Sequence, residues 1–182
     1  TLIHLFFWNT SHQSVQNELP NGIKGDFSRG GNYYQVFLDS RNRDYQLRKN
    51  RLSILESSNA FQERQRLVKL GQFVSPKAKK VLWVGGAHPL SIRALLDSSI
   101  ESVTVLDFEG IYSNLSKTFP PIKTNAQLTL IEANPFNFFQ TSLENFDLIF
   151  IGEVSPTDVV ASALYSEEFI RLCQQRLLPK GR

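Results

Sequence analysis

The sequence predicts an α/β protein with a doubly wound, mainly parallel sheet, and three observations lead to this prediction. Over residues 80–178, short apolar segments alternate with longer segments of helical period. Each segment between two predicted strands is long enough for the right-handed crossover that parallel neighbours require. The composition, with 41% hydrophobic and 20% charged residues in 182, is that of a globular domain rather than of a disordered or fibrous chain.

The elements of this sheet follow from local patterns. Strands are predicted at the short apolar runs 80–84, 102–106, 127–132 and 146–151. Helices are predicted between and after them, at residues 89–97, 110–119, 135–143 and 161–178. Pro89 opens the first of these helices, where its missing N–H costs nothing. The chain ends on a helix-ending turn where another strand should begin, and it contains no methionine, so we expect a processed or incomplete chain.

The first part of the chain predicts a smaller region. Residues 33–38 alternate and are rich in aromatic residues, which is typical of a strand, and residues 51–55 predict a weaker second strand. Together they indicate a β-hairpin region over 32–57, preceded by an N-terminal extension, 1–31. A helix over 59–71, which Gly71 would end, opens the parallel-sheet domain, which is predicted over 58–182.

Charge and cysteine content narrow the function classes. The net charge is +3, but between Arg41 and Lys80 eleven Lys or Arg stand against three Asp or Glu, a local net charge of +8. Such a band suits an anionic lipid or nucleic-acid surface, an acidic protein, or an ordinary solvated face. The single cysteine, Cys173, excludes an internal disulfide and predicts no metal site.

Localisation follows from the hydropathy pattern. No apolar run reaches the about 18 residues of a transmembrane helix. We therefore expect a cytoplasmic protein, or one that faces the cytosol in a membrane-associated compartment with any membrane attachment upstream of this chain.

The loops after the strands hold the candidate site, because ligands of doubly wound sheets bind beyond the carboxyl ends of the strands. Gly85 and Gly86 follow the first parallel strand, where glycine lets the backbone approach a nucleotide. Asp107 ends the next strand, 22 residues after Gly85, and an acid at about this distance binds ribose hydroxyls in nucleotide-binding sheets. The pair predicts a nucleoside site without choosing between nicotinamide, flavin and S-adenosylmethionine-type ligands; a tight turn without a ligand is the alternative.

Further motifs occur in a fixed order and spacing. They are residues 33–36, 61–63, the strand 80–84 with its two glycines, Asp107, the turn 133–136, the strand 146–151, Ser155-Pro156 and the segment 164–169. Over residues 32–181, this pattern resembles the polyamine aminopropyltransferases, the spermidine and spermine synthases, which have a Rossmann-like, methyltransferase-like fold.

The resemblance implies both a chemistry and a departure from it. In that family an aminopropyl group passes from decarboxylated S-adenosylmethionine to an amine, and carboxylates bind the cationic substrates and help to deprotonate the attacking nitrogen. Four positions that are aspartate in the family, including the catalytic one at 152, are occupied here by His88, Asn134, Gly152 and Ser155. The ribose-binding acid, Asp107, is kept.

The same resemblance assigns the cofactor site. Its residues would be Gly85, Gly86, His88, Asp107 and Asn134. The candidate ligands are S-adenosylmethionine, its decarboxylated form and methylthioadenosine, none of them certain, and His88 suits local packing better than acid–base chemistry.

The lost acids favour a domain without aminopropyl transfer that serves as a non-catalytic binding or structural module. Glu153 and Asp158 are candidate surrogates, but a one-residue shift along a loop moves a side chain further than the hydrogen-bond reach of about 3 Å allows. Two alternatives stay open: an active aminopropyl- or methyltransferase in the same fold, and a protein that binds anionic surfaces through residues 41–80. A homodimer or a larger assembly fits each of them.

Overall fold

A computed structural model describes residues 22–29, 32–39, 44–49, 52–116, 124–152 and 159–182. The chain divides into two compact units, Thr1–Glu63 and Arg64–Arg182. Among the helices of these described ranges, none combines the length and the apolar character needed to cross a membrane.

The first unit contains a four-stranded antiparallel sheet in the order β1-β2-β3-β4. Its strands are β1 (Gly22–Arg29), β2 (Asn32–Asp39), β3 (Asp44–Lys49) and β4 (Leu52–Glu56). The two predicted strands correspond to β2 and β4, but the hairpin prediction is wrong because β1 and β3 complete a sheet of four. Strands β1 and β3 were not predicted because each has only two larger apolar residues, Ile23 and Phe27 in β1 and Tyr45 and Leu47 in β3.

Helix α1 (Ser57–Val74) connects the two units. It runs past Gly71, where the sequence predicted its end. A Cβ on Gly71 would lie 2.8 Å from Cε1 of Phe150 and 3.1 Å from Cδ2 of Leu148. The glycine therefore serves the close packing of α1 on the sheet rather than the termination of the helix.

The second unit contains the predicted parallel sheet, in the order β7-β6-β5-β8. Its strands are β5 (Lys80–Val84), β6 (Ser102–Leu106), β7 (Gln127–Ile131) and β8 (Leu148–Ile151). The last residues of neighbouring strands are in register, Val84 with both Leu106 and Ile151. The strand order reverses between β5 and β8, which places the topological switch point beyond the end of β5.

The helices of this unit are α2 (Pro89–Leu96), α3 (Ile111–Leu115), α4 (Pro135–Thr141), α5 (Val159–Ala163) and α6 (Glu167–Gln175). The single helix predicted over 161–178 is wrong. The hydroxyl of Ser166 accepts a hydrogen bond from the backbone N–H of Phe169 at 3.2 Å, so α6 begins with its own N-cap. Helix α3 is shorter than predicted, and residues 117–123 lie outside the described ranges.

The core forms on both faces of the sheet, as expected for parallel strands. Along β5, Val81 and Trp83 belong to one buried cluster, and Leu82 and Val84 to the other. Cys173 packs in the second cluster, where burial raises the pKa of its thiol to about 12.

The last residues of the chain run beside β8. The N–H of Phe146 donates to the carbonyl of Arg176 at 2.8 Å, and the N–H of Ile149 donates to the carbonyl of Arg182 at 2.9 Å. Within the described residues, β8 is thus hydrogen-bonded on both sides, whereas β7 has a neighbour on one side.

Candidate functional site

Three of the residues singled out by their sequence positions lie together at the carboxyl edge of the parallel sheet. The backbone N–H groups of Gly85, Asp107 and Gly152 each donate to the last residue of a neighbouring strand, at 2.9 Å in every case. These residues therefore surround the switch point, where doubly wound sheets bind their ligands.

The glycine loop has a backbone that requires glycine. Gly85 and Gly86 have φ values of 60° and 52°, in the left-handed region that other residues rarely adopt. His88 follows, only 2% exposed, and its carbonyl accepts the N–H of Ile92 in α2 at 3.0 Å. Burial lowers the pKa of His88 to about 3, so the imidazole is neutral at physiological pH.

Asp107 is 1% exposed, and its carboxylate binds its own chain. Oδ2 accepts the backbone N–H of Ser113 at 2.8 Å, and the N–H of Tyr112 also faces the carboxylate. This supplies the start of α3 with the cap that its N-cap residue, Gly110, cannot provide. Burial is the main cause that raises the pKa of Asp107, against these hydrogen bonds, which lower it.

Asn134 follows β7 and is exposed. Its side-chain oxygen accepts the backbone N–H groups of Phe136 at 2.9 Å and Asn137 at 3.4 Å, so it is the N-cap of α4. An N-cap can be asparagine or aspartate with little difference in stability. The side-chain amide oxygen of Asn134 thus accepts hydrogen bonds from the helix that it caps, and this side chain carries no charge.

Gly152 directly follows β8 and is buried against the glycine loop. A Cβ at this position would lie 2.7 Å from Nε1 of Trp83 and closer still to the carbonyl oxygen of Gly85, a backbone atom. The indole is fixed there, since its Nε1–H donates to that same carbonyl at 3.0 Å and its ring stacks on Phe150 with centroids 4.8 Å apart. The position therefore holds glycine for lack of space, and the indole of Trp83 borders it.

The remaining predicted positions cannot be placed. Glu153, Ser155 and Asp158 lie outside the described residues. Within the described part, the acids near Asp107 are Glu109, which is buried, and Glu132, whose negative charge contributes to the raised pKa of Asp107.

The described site combines one buried carboxylate, Asp107, with uncharged residues at the other predicted positions that the structure describes. Among the described residues, no group of three His, Cys, Asp or Glu side chains could hold a metal ion. The left-handed glycines and the buried carboxylate suit a nucleoside, whereas positions 88, 134 and 152 offer neither a negative charge nor a base.

Two features of the site were missed at the sequence level. Trp83 is a core residue, at 1% exposure, and its indole, held by the hydrogen bond to Gly85, also fills the space beside Gly152. A buried indole needs a partner for its N–H, but the sequence does not indicate which backbone carbonyl accepts it. The capping of α3 by Asp107 likewise has no signal in the sequence, because it depends on the turn at Gly110.

Comparison with known proteins identifies relatives among the polyamine aminopropyltransferases. The family model described as "Spermine/spermidine synthase domain" matches residues 60–182. The polyamine aminopropyltransferase of Leptospira interrogans is 24% identical over 158 residues, which are 82% of this chain and 32% of that protein. The polyamine aminopropyltransferase of Thermotoga petrophila is 22% identical over 135 residues, 71% of this chain and 46% of that protein.

Solved structures agree on the fold. A spermidine synthase in complex with the transition state analogue AdoDATO superimposes with a TM-score of 0.71 at 19% identity, over 87% of this chain and 55% of that chain. A spermidine synthase from Thermotoga maritima gives a TM-score of 0.69, also at 19% identity, over 87% of this chain and 54% of that chain. The chain thus spans about a third to a half of the length of these relatives.

Proposed function

Because the chain belongs to the spermine and spermidine synthase family, we propose that it keeps the transferase scaffold without aminopropyl transfer and acts as a non-catalytic binding or structural module. The observation that carries this proposal is the lack of space for any side chain at Gly152, the position that resembles the catalytic aspartate of the family.

The chemistry of the transfer explains why this position matters. A primary amine is an ammonium ion at neutral pH, with a pKa near 10.4 as in lysine, and it must lose a proton before its nitrogen can attack carbon. A carboxylate that orients the amine and accepts its proton has to lie within about 3 Å of it. Gly152 has no such group, and Trp83 and the Gly85 carbonyl occupy the space that one would need.

Electrostatics support the same proposal. A polyamine carries two or more positive charges, and removing them from water is costly unless negative groups compensate. His88 is neutral because burial lowers its pKa, and Asn134 is an uncharged cap. The carboxylate of Asp107 already accepts hydrogen bonds from the start of α3.

Binding of the acceptor tests the proposal directly. In calorimetric titrations of the full chain with putrescine and with spermidine, each with and without added methylthioadenosine, we expect no binding up to millimolar amine. The active Thermotoga maritima enzyme, treated in the same way, is the positive control. Micromolar amine binding by this chain would refute the electrostatic argument, because it would require an acid that replaces the missing ones. Release of methylthioadenosine from decarboxylated S-adenosylmethionine would overturn the proposal itself.

A second candidate, a transferase of this fold that uses S-adenosylmethionine or its decarboxylated form, rests on the glycine loop. Gly85 and Gly86 keep their left-handed backbone beside Asp107, which is the half of the site that would hold an adenosyl group. Titration with S-adenosylmethionine, its decarboxylated form and methylthioadenosine separates the two candidates. Micromolar binding that Asp107→Ala abolishes favours the transferase; no binding at millimolar ligand removes it.

A further inference from the structure

The end of helix α1 presents apolar side chains to solvent. Phe73 is 84% exposed, Leu70 57% and Val74 45%. Soluble domains expose single apolar residues routinely, but three within five residues of one helix form a patch, and such patches mark interaction sites. All three belong to the second compact unit.

Helix geometry explains why these side chains cannot turn inward. Val68 and Gly71 lie on the side of α1 that packs against the sheet, and both are buried. Residues three and four apart share a helix face, so Lys69 and Phe73 lie side by side on the opposite face, with Leu70 next to them. The inner face is already occupied by the contact of Gly71 with Phe150.

The chain segment that carries the patch is basic. Residues 66–80 contain five Lys or Arg and no Asp or Glu. Lys69 and Lys77 are exposed, and neither forms a salt bridge within the described residues, whereas Lys79 pairs with Glu101 at 3.2 Å. Asp147 accepts the backbone N–H groups of Lys79 and Lys80 at 2.8 Å, so these two lysines are not counted with the patch. We call the surface formed by residues 69, 70, 73, 74 and 77 the α1 patch.

We propose that the α1 patch binds the surface of an anionic membrane. Lysines next to exposed aromatic and aliphatic side chains suit a lipid interface, where the cations meet acidic headgroups and the apolar groups enter the acyl boundary. Nucleic acid would use the lysines and could stack on Phe73, but it offers nothing for Leu70 and Val74. The charge complementarity and the aliphatic residues together therefore favour lipid.

The α1 patch is separate from the candidate site. Helix α1 ends at Val74 and β5 begins at Lys80, so the patch adjoins the amino edge of the parallel sheet. The glycine loop and Gly152 lie at the carboxyl edge. Membrane binding is thus independent of whether the site retains transfer chemistry.

Vesicle sedimentation of the full chain tests the proposal. We expect binding to phosphatidylcholine vesicles that contain about one-third phosphatidylserine, little binding to phosphatidylcholine alone, and weaker binding at high salt. Lys69→Gln should weaken the affinity about fivefold. Phe73→Ser should weaken it about tenfold or more, since it removes the largest apolar group that would be buried.

Matched controls lie on other helices. Val159 in α5 is as exposed as Phe73, at 84%, and Arg171 in α6 is an exposed cation. Val159→Ser and Arg171→Gln should leave vesicle binding unchanged. All four substitutions are at the surface, and circular dichroism would verify that each variant is folded.

Three outcomes would overturn the proposal. The first is equal binding of the parent chain and the two α1 variants to anionic vesicles. The second is tight binding to a single-stranded oligonucleotide without binding to the vesicles. The third is a dimer in sedimentation velocity that Phe73→Ser converts to a monomer, in the absence of vesicle binding, because the patch would then serve a second copy of the chain.

Discussion

Replacing Gly152 with alanine is the simplest perturbation of the closed position. The added Cβ would lie 2.7 Å from Nε1 of Trp83, about 0.7 Å inside the 3.4 Å at which ordinary contact begins, and still closer to the carbonyl oxygen of Gly85. Neither neighbour yields easily, since the indole is buried and stacked on Phe150 and the carbonyl belongs to the backbone. The substitution therefore has to displace one of them.

The cost follows from the two contacts. Overpacking of a core costs about 1–3 kcal/mol, and a buried indole N–H that loses its acceptor costs about 1–3 kcal/mol more. Because movement of the indole would relieve part of the overlap, we expect Gly152→Ala to lower the free energy of unfolding by about 2–4 kcal/mol. For a chain of this length that corresponds to a fall in Tm of roughly 5–15 °C.

Thermal and urea unfolding, followed by near-ultraviolet circular dichroism, measure this effect. Trp83→Phe removes Nε1, the atom nearest to the added Cβ on the indole. The effects of Gly152→Ala and Trp83→Phe on the free energy of unfolding should therefore be non-additive by about 1 kcal/mol in the double variant. Gly181→Ala is the control with a smaller steric overlap: its Cβ would lie no closer than 2.9 Å to any neighbour, so it should lower the free energy of unfolding less than Gly152→Ala does. A Gly152→Ala variant whose stability differs from the parent by less than about 0.5 kcal/mol would refute the steric argument.

Three further predictions concern the neighbouring residues. The ring of His88 should not titrate between pH 5 and 8 in NMR spectra, and a ring that titrates near pH 6.5 would contradict its burial. Because the pKa of His88 is lowered, the free energy of unfolding should fall as the pH drops below 6.5, by up to about 1.4 kcal/mol per pH unit, and His88→Gln should remove this pH dependence. Because the pKa of Asp107 is raised, its contribution to the free energy of unfolding is greatest at low pH and is lost as the pH rises above about 4. The urea midpoint of Asp107→Asn should therefore rise relative to that of the parent between pH 4 and 7, and a difference that does not change with pH would contradict this. Asn134→Ala should cost about 0.5–2 kcal/mol in urea unfolding and Asn134→Asp almost nothing, unless the N-cap is unimportant, in which case both are neutral.

Much of the parallel sheet could be predicted from the sequence, because its strands are buried on both faces and appear as short apolar runs. The predicted strand 102–106 coincides with β6, and Pro89 begins α2 as expected. Strands β1 and β3 could not be predicted, since their pairing partners, rather than their own apolar content, make them strands. Gly71 was misplaced as a helix end because only the packing against Phe150 explains it.

The common sheet edge of Gly85 and Asp107 could be predicted from the sequence, whereas the packing around these residues could not. The ends of strands converge at the switch point for any doubly wound sheet, so Gly85 and Asp107 could be assigned to one edge. The direction of each side chain depends on local turns and on neighbours distant in sequence. That the indole of Trp83 closes the space beside Gly152, 69 positions later, is a property of packing between β5 and β8.

The central claim, that this member of the spermine and spermidine synthase family does not transfer aminopropyl groups, is tested most directly by the release of methylthioadenosine. The full chain, in excess over decarboxylated S-adenosylmethionine and with millimolar putrescine, would be sampled over hours by chromatography, beside an active family member. We predict no methylthioadenosine above the protein-free blank. Formation of methylthioadenosine together with an equal amount of spermidine would contradict the claim, and it would assign the proton acceptor to a residue other than position 152.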